Sequence, residues 1–152
     1  MILSSDWRAF IESLNSHGVE YVLVGGHAVA YHGRPRFTDD LDVVVRRIPD
    51  NAARVLAALK AFGFGSLGLT ESDFLAAGQI IQLGHPPYRI DVATSISGVH
   101  EDDLWQGRIA GEWEDVRVWW IDRASLVRNT RAVGRPKDLA DLDLLNEDSR
   151  ES

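Results

Sequence analysis

Residues 21–45 read YVLVGGHAVAYHGRPRFTDDLDVVV, and the interpretation of the whole chain starts from this stretch. An apolar run at 21–24 ends in two glycines, a short segment with helical character follows at 27–32, and a second apolar run spans 40–47. A short, continuous apolar run bounded by glycine is typical of a buried strand. The pattern therefore predicts a strand, a glycine turn, a short helix, a loop and a second strand.

The remaining segments are assigned from apolar periodicity, capping residues and turn residues. We predict helices over 4–17, 49–62, 101–106, 123–131 and 137–147, a helical turn over 71–77, and strands over 79–83, 88–93 and 116–121. The two strands at 79–93 are expected to form a hairpin. Because strands and helices alternate without strict βαβ order, we expect an α+β, α/β-like fold with a mixed β-sheet.

Composition limits the class of protein. The 152 residues include 45% hydrophobic and 26% charged residues, and we expect a single domain over 1–152, with a core over about 18–122 and C-terminal helices over about 123–147. The net charge of −7 argues against strong non-specific binding of nucleic acid, which needs a basic surface. The sequence has no cysteine, no signal-peptide pattern and no apolar run long enough for a membrane helix, so we expect a cytoplasmic protein.

Gly25 and Gly26 form a candidate phosphate-binding turn. Glycine lacks a Cβ atom, so its backbone can adopt positive φ and approach a ligand closely. If residues 27–32 are helical, their first N–H groups have no partner within the helix and favour an anion. The alternative is an ordinary strand-to-helix turn, since many such turns carry two glycines.

Asp40 and Asp42 form a candidate metal-binding pair. Side chains alternate along a strand, so both carboxylates point to one face while Leu41 and Val43 point into the core. Neighbouring carboxylates repel each other, and a bridging divalent cation removes that repulsion. Mg²⁺ takes oxygen ligands, commonly one or two carboxylates together with substrate phosphates. The alternative is that these aspartates are turn or strand-edge residues.

The spacing of the two features indicates one joint site. Thirteen residues, 27–39, separate Gly26 from Asp40. That length accommodates one short helix and a return loop, so the two strands can be neighbours. The glycine turn and the carboxylates would then meet at one end of the sheet.

Asp91 is the best candidate for a third carboxylate. Ile90 and Val92 on either side of it would face the core, so Asp91 would point to the other face. Such a carboxylate would hold the metal that activates an attacking hydroxyl, or take its proton. The alternative is an exposed strand aspartate.

These motifs together resemble a known superfamily. The Leu23–Gly26 run, the Asp40–Val43 run and a later strand aspartate are similar to those of DNA polymerase β-like nucleotidyltransferases. The stretches GGHAVAYHGRPRFTDDLDV and GRPKDLADL resemble small bacterial members, which include abortive-infection type nucleotidyltransferase toxins and antibiotic-modifying proteins. The resemblance covers about residues 18–145.

The resemblance implies a fold and a reaction. The fold would be a mixed sheet with helices mainly on one face and a short C-terminal helical segment. The reaction would move a nucleoside monophosphate from an NTP, such as ATP, to a hydroxyl and release pyrophosphate. Asp40, Asp42 and Asp91 would bind two Mg²⁺ ions, with Mn²⁺ as a substitute, and Gly25 and Gly26 would hold the β- and γ-phosphates.

Further candidates for binding the triphosphate lie close to these motifs. Arg34 and Arg36 precede the aspartates and can neutralise phosphate charge, unless they belong to a solvated loop. His27 can donate to a phosphate or pack at the start of the helix, and Lys137 at the start of the last helix can reach the phosphates.

The acceptor and the partner stay open at this point. The hydroxyl can belong to a tRNA, a protein or a small molecule. About thirty residues follow the strand ending near residue 121, so we expect a small substrate, or a homodimer or partner protein that completes the cleft. Two alternatives are a nucleotide-binding module without turnover and the antitoxin or regulatory half of a two-protein system. A DxD-type sugar-nucleotide transferase ranks lower, since those enzymes need a larger nucleotide-binding domain.

Overall fold

The structure, a computed structural model, describes residues 3–33, 38–85 and 88–151, with side chains to residue 145. These ranges contain six strands and six α-helices. The strands are β1 (Tyr21–Val24), β2 (Asp40–Val45), β3 (Ile80–Leu83), β4 (Arg89–Ala93), β5 (Ile109–Trp113) and β6 (Val116–Trp120). The helices are α1 (Ser5–Ser16), α2 (Gly25–His32), α3 (Pro49–Phe62), α4 (Glu101–Gly107), α5 (Arg123–Val133) and α6 (Pro136–Glu151).

All six strands form one sheet in the order β3-β4-β2-β1-β6-β5. Strand β1 is antiparallel to β2 and parallel to β6, and β2 is parallel to β4. The outer strands β3 and β5 pair antiparallel with β4 and β6. The predicted α+β class with a mixed sheet is confirmed.

The centre of the sheet is buried on both faces. Tyr21, Val22 and Leu23 of β1 are fully buried although their side chains alternate between the faces. Full burial of one such apolar side chain contributes about 1.5–3 kcal/mol, so the middle strands form a stable platform. The outer strand β3 differs, since Ile80 is 66% exposed.

The helices form two groups. Helices α1 and α3 pack together through Phe10 and Phe62, whose ring centroids are 5.4 Å apart. Ser4 caps α1, because its hydroxyl accepts a 3.1 Å hydrogen bond from the backbone N–H of Trp7. Helices α2, α5 and α6 pack against one another and contribute residues to a cavity on the face that carries Asp42. Within the described residues, the helices are too short or too polar to cross a membrane.

Helix α6 runs to Glu151, four residues past its predicted end, several other bounds shift by one or two residues, and two elements differ in a way that matters for the site or the sheet. Helix α2 begins at Gly25, so the glycine pair is the first two residues of the helix rather than a turn before it. Strand β5 was missed, because its sequence IAGEW contains a glycine and shows no clear apolar run. It joins β6 through Glu114 and Asp115, which have φ of 48° and 69°. Positive φ at both central residues is typical of a tight two-residue hairpin turn.

Candidate active site

The site begins where β1 passes into α2. Strand β1 ends at Val24, which lies opposite Asp42 in the antiparallel pair with β2. The next residue, Gly25, has φ of +70°, and a Cβ atom built there would lie 2.2 Å from Oδ2 of Asp42. The structure therefore brings the glycine pair against the Asp42 carboxylate, and only glycine fits at residue 25 without displacing it.

The third carboxylate lies on the neighbouring strand. Strands β2 and β4 are parallel, and their register places Asp42 opposite Asp91. Adjacent strands are about 4.8 Å apart, so the two residues are direct neighbours. Asp40 and Asp42 are two residues apart on β2, so all three carboxylates project from the same face.

Arg89 lies between two of these carboxylates. Its Nη2 donates a 2.8 Å hydrogen bond to Oδ2 of Asp40, and its Nε lies 3.2 Å from Oδ1 of Asp91. The second contact lacks hydrogen-bond alignment, so among the described residues Oδ1 of Asp91 is a buried acceptor without a donor. Arg89 was not predicted as a site residue, although the signal was present, because a residue two positions before Asp91 on a strand shares its face.

Burial and the repulsion of neighbouring acids make Asp40 and Asp42 less acidic than usual. Burial, followed by the charges of Asp91 and Asp40, raises the pKa of Asp42 to about 6. Burial also raises the pKa of Asp40, although Arg89 opposes this effect. The charge of Asp91 raises the pKa of Arg89, so the guanidinium stays charged. These carboxylates therefore favour a positively charged ligand.

The start of α6 adds basic groups to the site. Lys137 lines the same cavity as the carboxylates, and its charge partly opposes the rise that burial causes in the pKa of Asp40 and Asp42. Asp138 accepts hydrogen bonds from the backbone N–H and Nε of Arg135, at 3.0 and 2.8 Å. Burial opposes ionisation of Asp138, but these hydrogen bonds keep its pKa below the usual value. Asp138 therefore acts as a cap for α6, as expected for an acid in the first turn.

One cavity of about 340 Å³ connects these groups. Its lining includes Gly25, Gly26, Asp40, Asp42, Asp91 and Lys137. The lining also includes the apolar side chains of Ile80, Ile96 and Val133, of which Ile80 and Val133 are 66% and 41% exposed, and polar side chains such as Ser95, Ser97 and Asn129. The cavity is therefore lined by charged, polar and apolar side chains together.

The donor chemistry of the site fits Mg²⁺ or Mn²⁺, which favour carboxylate oxygens. The carboxylates as placed do not form a coordination shell, since no three His, Asp or Glu side chains among the described residues are arranged to hold one ion. Arg89 provides a physical reason, because it pairs with Asp40 and Asp91.

His27, a predicted phosphate ligand, is packed in the core instead. It is 2% exposed and absent from the cavity lining, and its ring lies 4.8 Å from the rings of both Trp7 and Trp113. This placement agrees with the packed alternative, and the phosphate contact of His27 stays a prediction. The other two predicted phosphate ligands, Arg34 and Arg36, lie outside the described residues.

Comparison with known proteins gives information at the level of the fold. No family model and no curated protein sequence matches the chain. An antigenic nucleotidyltransferase-like protein from Paracoccidioides brasiliensis superposes with a TM-score of 0.56 at 15% identity, covering 96% of this chain and 77% of its own. The lincosamide antibiotic adenylyltransferase LnuA, solved with lincomycin bound, superposes with a TM-score of 0.60 at 14% identity, covering 95% of this chain and 97% of its own.

Both matches extend over nearly the whole chain, so they concern the complete arrangement of sheet and helices. At 15% and 14% identity the likeness establishes the fold alone. The chain therefore has the nucleotidyltransferase fold.

Proposed function

We propose that this protein is a Mg²⁺-dependent nucleotidyltransferase of the DNA polymerase β-like superfamily, which transfers a nucleoside monophosphate from an NTP to a hydroxyl and releases pyrophosphate. The observation that carries the proposal is that Asp40, Asp42 and Asp91 share one face of adjacent strands, with Asp42 against the first residue of α2. The fold is also that of nucleotidyltransferase-like proteins.

The triphosphate would bind at the start of α2. The first N–H groups of a helix have no partner within it, and the helix dipole adds partial positive charge there. Gly25 brings this backbone next to the carboxylates. Lys137 supplies a full positive charge in the same cavity. Residues Gly25, Gly26 and Lys137 would therefore hold and orient the phosphates.

The carboxylates would hold the metal and move the proton. Asp40, Asp42 and Asp91 would be the ligands, and the bound ion would supply charge neutralisation of the triphosphate and activation of the acceptor hydroxyl. The acceptor oxygen forms a bond to the α-phosphorus while the bond from that phosphorus to the β-phosphate oxygen breaks. The hydroxyl proton would go to the carboxylate of Asp91, which neighbours Asp42 across the β2–β4 pair.

For the acceptor, we favour a small hydroxylated compound with an apolar part. The cavity of about 340 Å³ is suited to a small molecule, and the exposed side chains of Ile80 and Val133 give its lining some apolar surface. The net charge of −7 disfavours a large RNA. LnuA, which shares the fold, is a lincosamide adenylyltransferase whose structure contains lincomycin.

The test is transfer from each α-labelled NTP, with Mg²⁺, to separate pools of hydroxylated antibiotics, tRNA and protein. We expect label on a small molecule, release of pyrophosphate, and loss of both in Asp42→Asn and Asp91→Asn. The matched control is Asp103→Asn, which changes an exposed acid on α4 and should leave transfer intact.

The pools distinguish the remaining possibilities. Label on tRNA or protein would favour a role like that of the abortive-infection toxins and would overturn our choice of acceptor. NTP binding without transfer to any pool would refute the enzyme and favour a nucleotide-binding or antitoxin subunit.

A further inference from the structure

Arg89 places a positive charge inside the carboxylate cluster. Its guanidinium contacts Asp40 at 2.8 Å and Asp91 at 3.2 Å. The side chain of Arg89 is 31% exposed, and those of Asp40 and Asp91 are 25% and 16% exposed. The ion pairs are therefore partly shielded from water, where charges interact more strongly than on an open surface.

The oxygens that Arg89 contacts are those that a divalent cation would need. A guanidinium and a metal ion repel each other, so both cannot sit between the same two carboxylates. Accordingly, no three acidic or histidine side chains in the described part of the chain are arranged around one ion position. The chemistry of the ligands fits a metal, but two of the three ligands are engaged by the guanidinium.

We propose that Arg89 is a built-in competitor of the metal: its guanidinium occupies the cation position between Asp40 and Asp91, and a divalent ion binds these carboxylates only after Arg89 has left. This inference rests on the proposed function, because it takes Asp40 and Asp91 as metal ligands. It assigns Arg89 a positioning role in the apo protein rather than a catalytic one.

The strand register explains how an arginine at position 89 can place its guanidinium between Asp40 and Asp91. Arg89 lies opposite Asp40 in the β2–β4 pair and two residues before Asp91, so its side chain starts on the carboxylate face. The planar guanidinium offers several N–H donors and can span two carboxylates, whereas a lysine ammonium acts as a single point charge. Arg89 is a long side chain at the first residue of β4, so it can withdraw by rotamer changes without a change in the sheet.

The experiment measures Mn²⁺ binding to the full chain by calorimetry, with and without a non-hydrolysable NTP analogue. We expect Arg89→Met to bind Mn²⁺ about tenfold more tightly than the wild type, within the range of about 5- to 150-fold that is typical of coupled sites. Arg89→Lys should show a smaller gain. The control is Arg46→Met, which removes a comparable ion pair of 3.0 Å with Glu20 and should leave Mn²⁺ affinity unchanged.

The outcomes separate this inference from the proposed function. If the wild type binds Mn²⁺ and both Arg89 variants bind no more tightly, the inference is overturned while the proposed function stands. If Arg89→Met does not fold, as judged by circular dichroism, the smaller gain in Arg89→Lys decides. If no protein binds Mn²⁺ under either condition, the metal requirement of the proposed function fails, and the inference fails with it. Tighter binding in Arg89→Met without nucleotidyl transfer supports the inference and counts against the proposed function.

Discussion

The contact between Gly25 and Asp42 gives the sharpest prediction. Gly25 has φ of +70°, and a Cβ atom there would lie 2.2 Å from Oδ2 and 2.9 Å from Cγ of Asp42. Gly25→Ala therefore introduces backbone strain and a steric clash together. Gly68→Ala is a matched control, because Gly68 has nearly the same φ of +71° and no atom within 4 Å of its Cβ position.

The two substitutions should differ by the energy of the clash. Backbone strain in the left-handed region costs about 1–2 kcal/mol, and we expect this loss for Gly68→Ala. Inserting a methyl group into a filled space costs about 1–3 kcal/mol more, so Gly25→Ala should lose about 2–5 kcal/mol in its free energy of unfolding. Urea unfolding of both variants, at one pH and with chelator present, measures the difference.

A double-mutant cycle assigns the extra loss to Asp42. Asp42→Ala removes Oδ2 and Cγ, the two atoms that a Cβ at residue 25 would meet most closely, and leaves Cβ of residue 42 at 3.0 Å. Gly25→Ala should therefore lose most of its extra cost in that background and approach the strain term of about 1–2 kcal/mol. Equal losses for Gly25→Ala and Gly68→Ala would refute the reasoning. So would an extra loss that is as large in the Asp42→Ala background as in the wild type.

Three further predictions concern the site. The pKa of Asp42 is raised to about 6, so the folded protein binds this proton more tightly than the unfolded chain does. The free energy of unfolding of the metal-free protein should therefore fall by about 3 kcal/mol as the pH rises from about 4 to 6. Urea unfolding measures this pH dependence, and Asp42→Asn should remove it. Lys137→Met should weaken NTP binding about fivefold, and by more at low salt, because it removes a positive charge from the cavity. The control Lys60→Met, on the outer face of α3, should leave NTP binding unchanged. Fluorescence titration measures both affinities, and equal effects would count against phosphate binding by Lys137. His27→Ala should destabilise the fold by about 2 kcal/mol because it leaves a cavity between two tryptophans, with NTP affinity of the folded protein unchanged.

Most elements could be predicted from local sequence patterns. Helix α3 begins at Pro49 and ends at Phe62 as predicted, because proline favours a first helical position and Gly63 ends the helix in a left-handed conformation. Strand β1 was predicted without error, since its four apolar residues are bounded by a glycine. Strand β5 was not, because its residues are mostly exposed and its stability comes from pairing with β6.

Part of the site was also evident in the sequence. The two-residue spacing of Asp40 and Asp42 places both carboxylates on one face of a strand, and alternation around Asp91 does the same on another. Gly25 and Gly26 directly follow the apolar run of β1 and mark its end. These features depend on local geometry, which is why the sequence by itself determined them.

Only the tertiary structure decided how these features meet. The parallel pairing of β2 and β4 sets Asp42 opposite Asp91 and Asp40 opposite Arg89, and no local pattern specifies the register between strands 49 residues apart. The same packing buries His27 among tryptophans, away from the cavity lining. Register and burial arise from contacts between distant segments, so the guanidinium among the carboxylates became visible only in the folded chain.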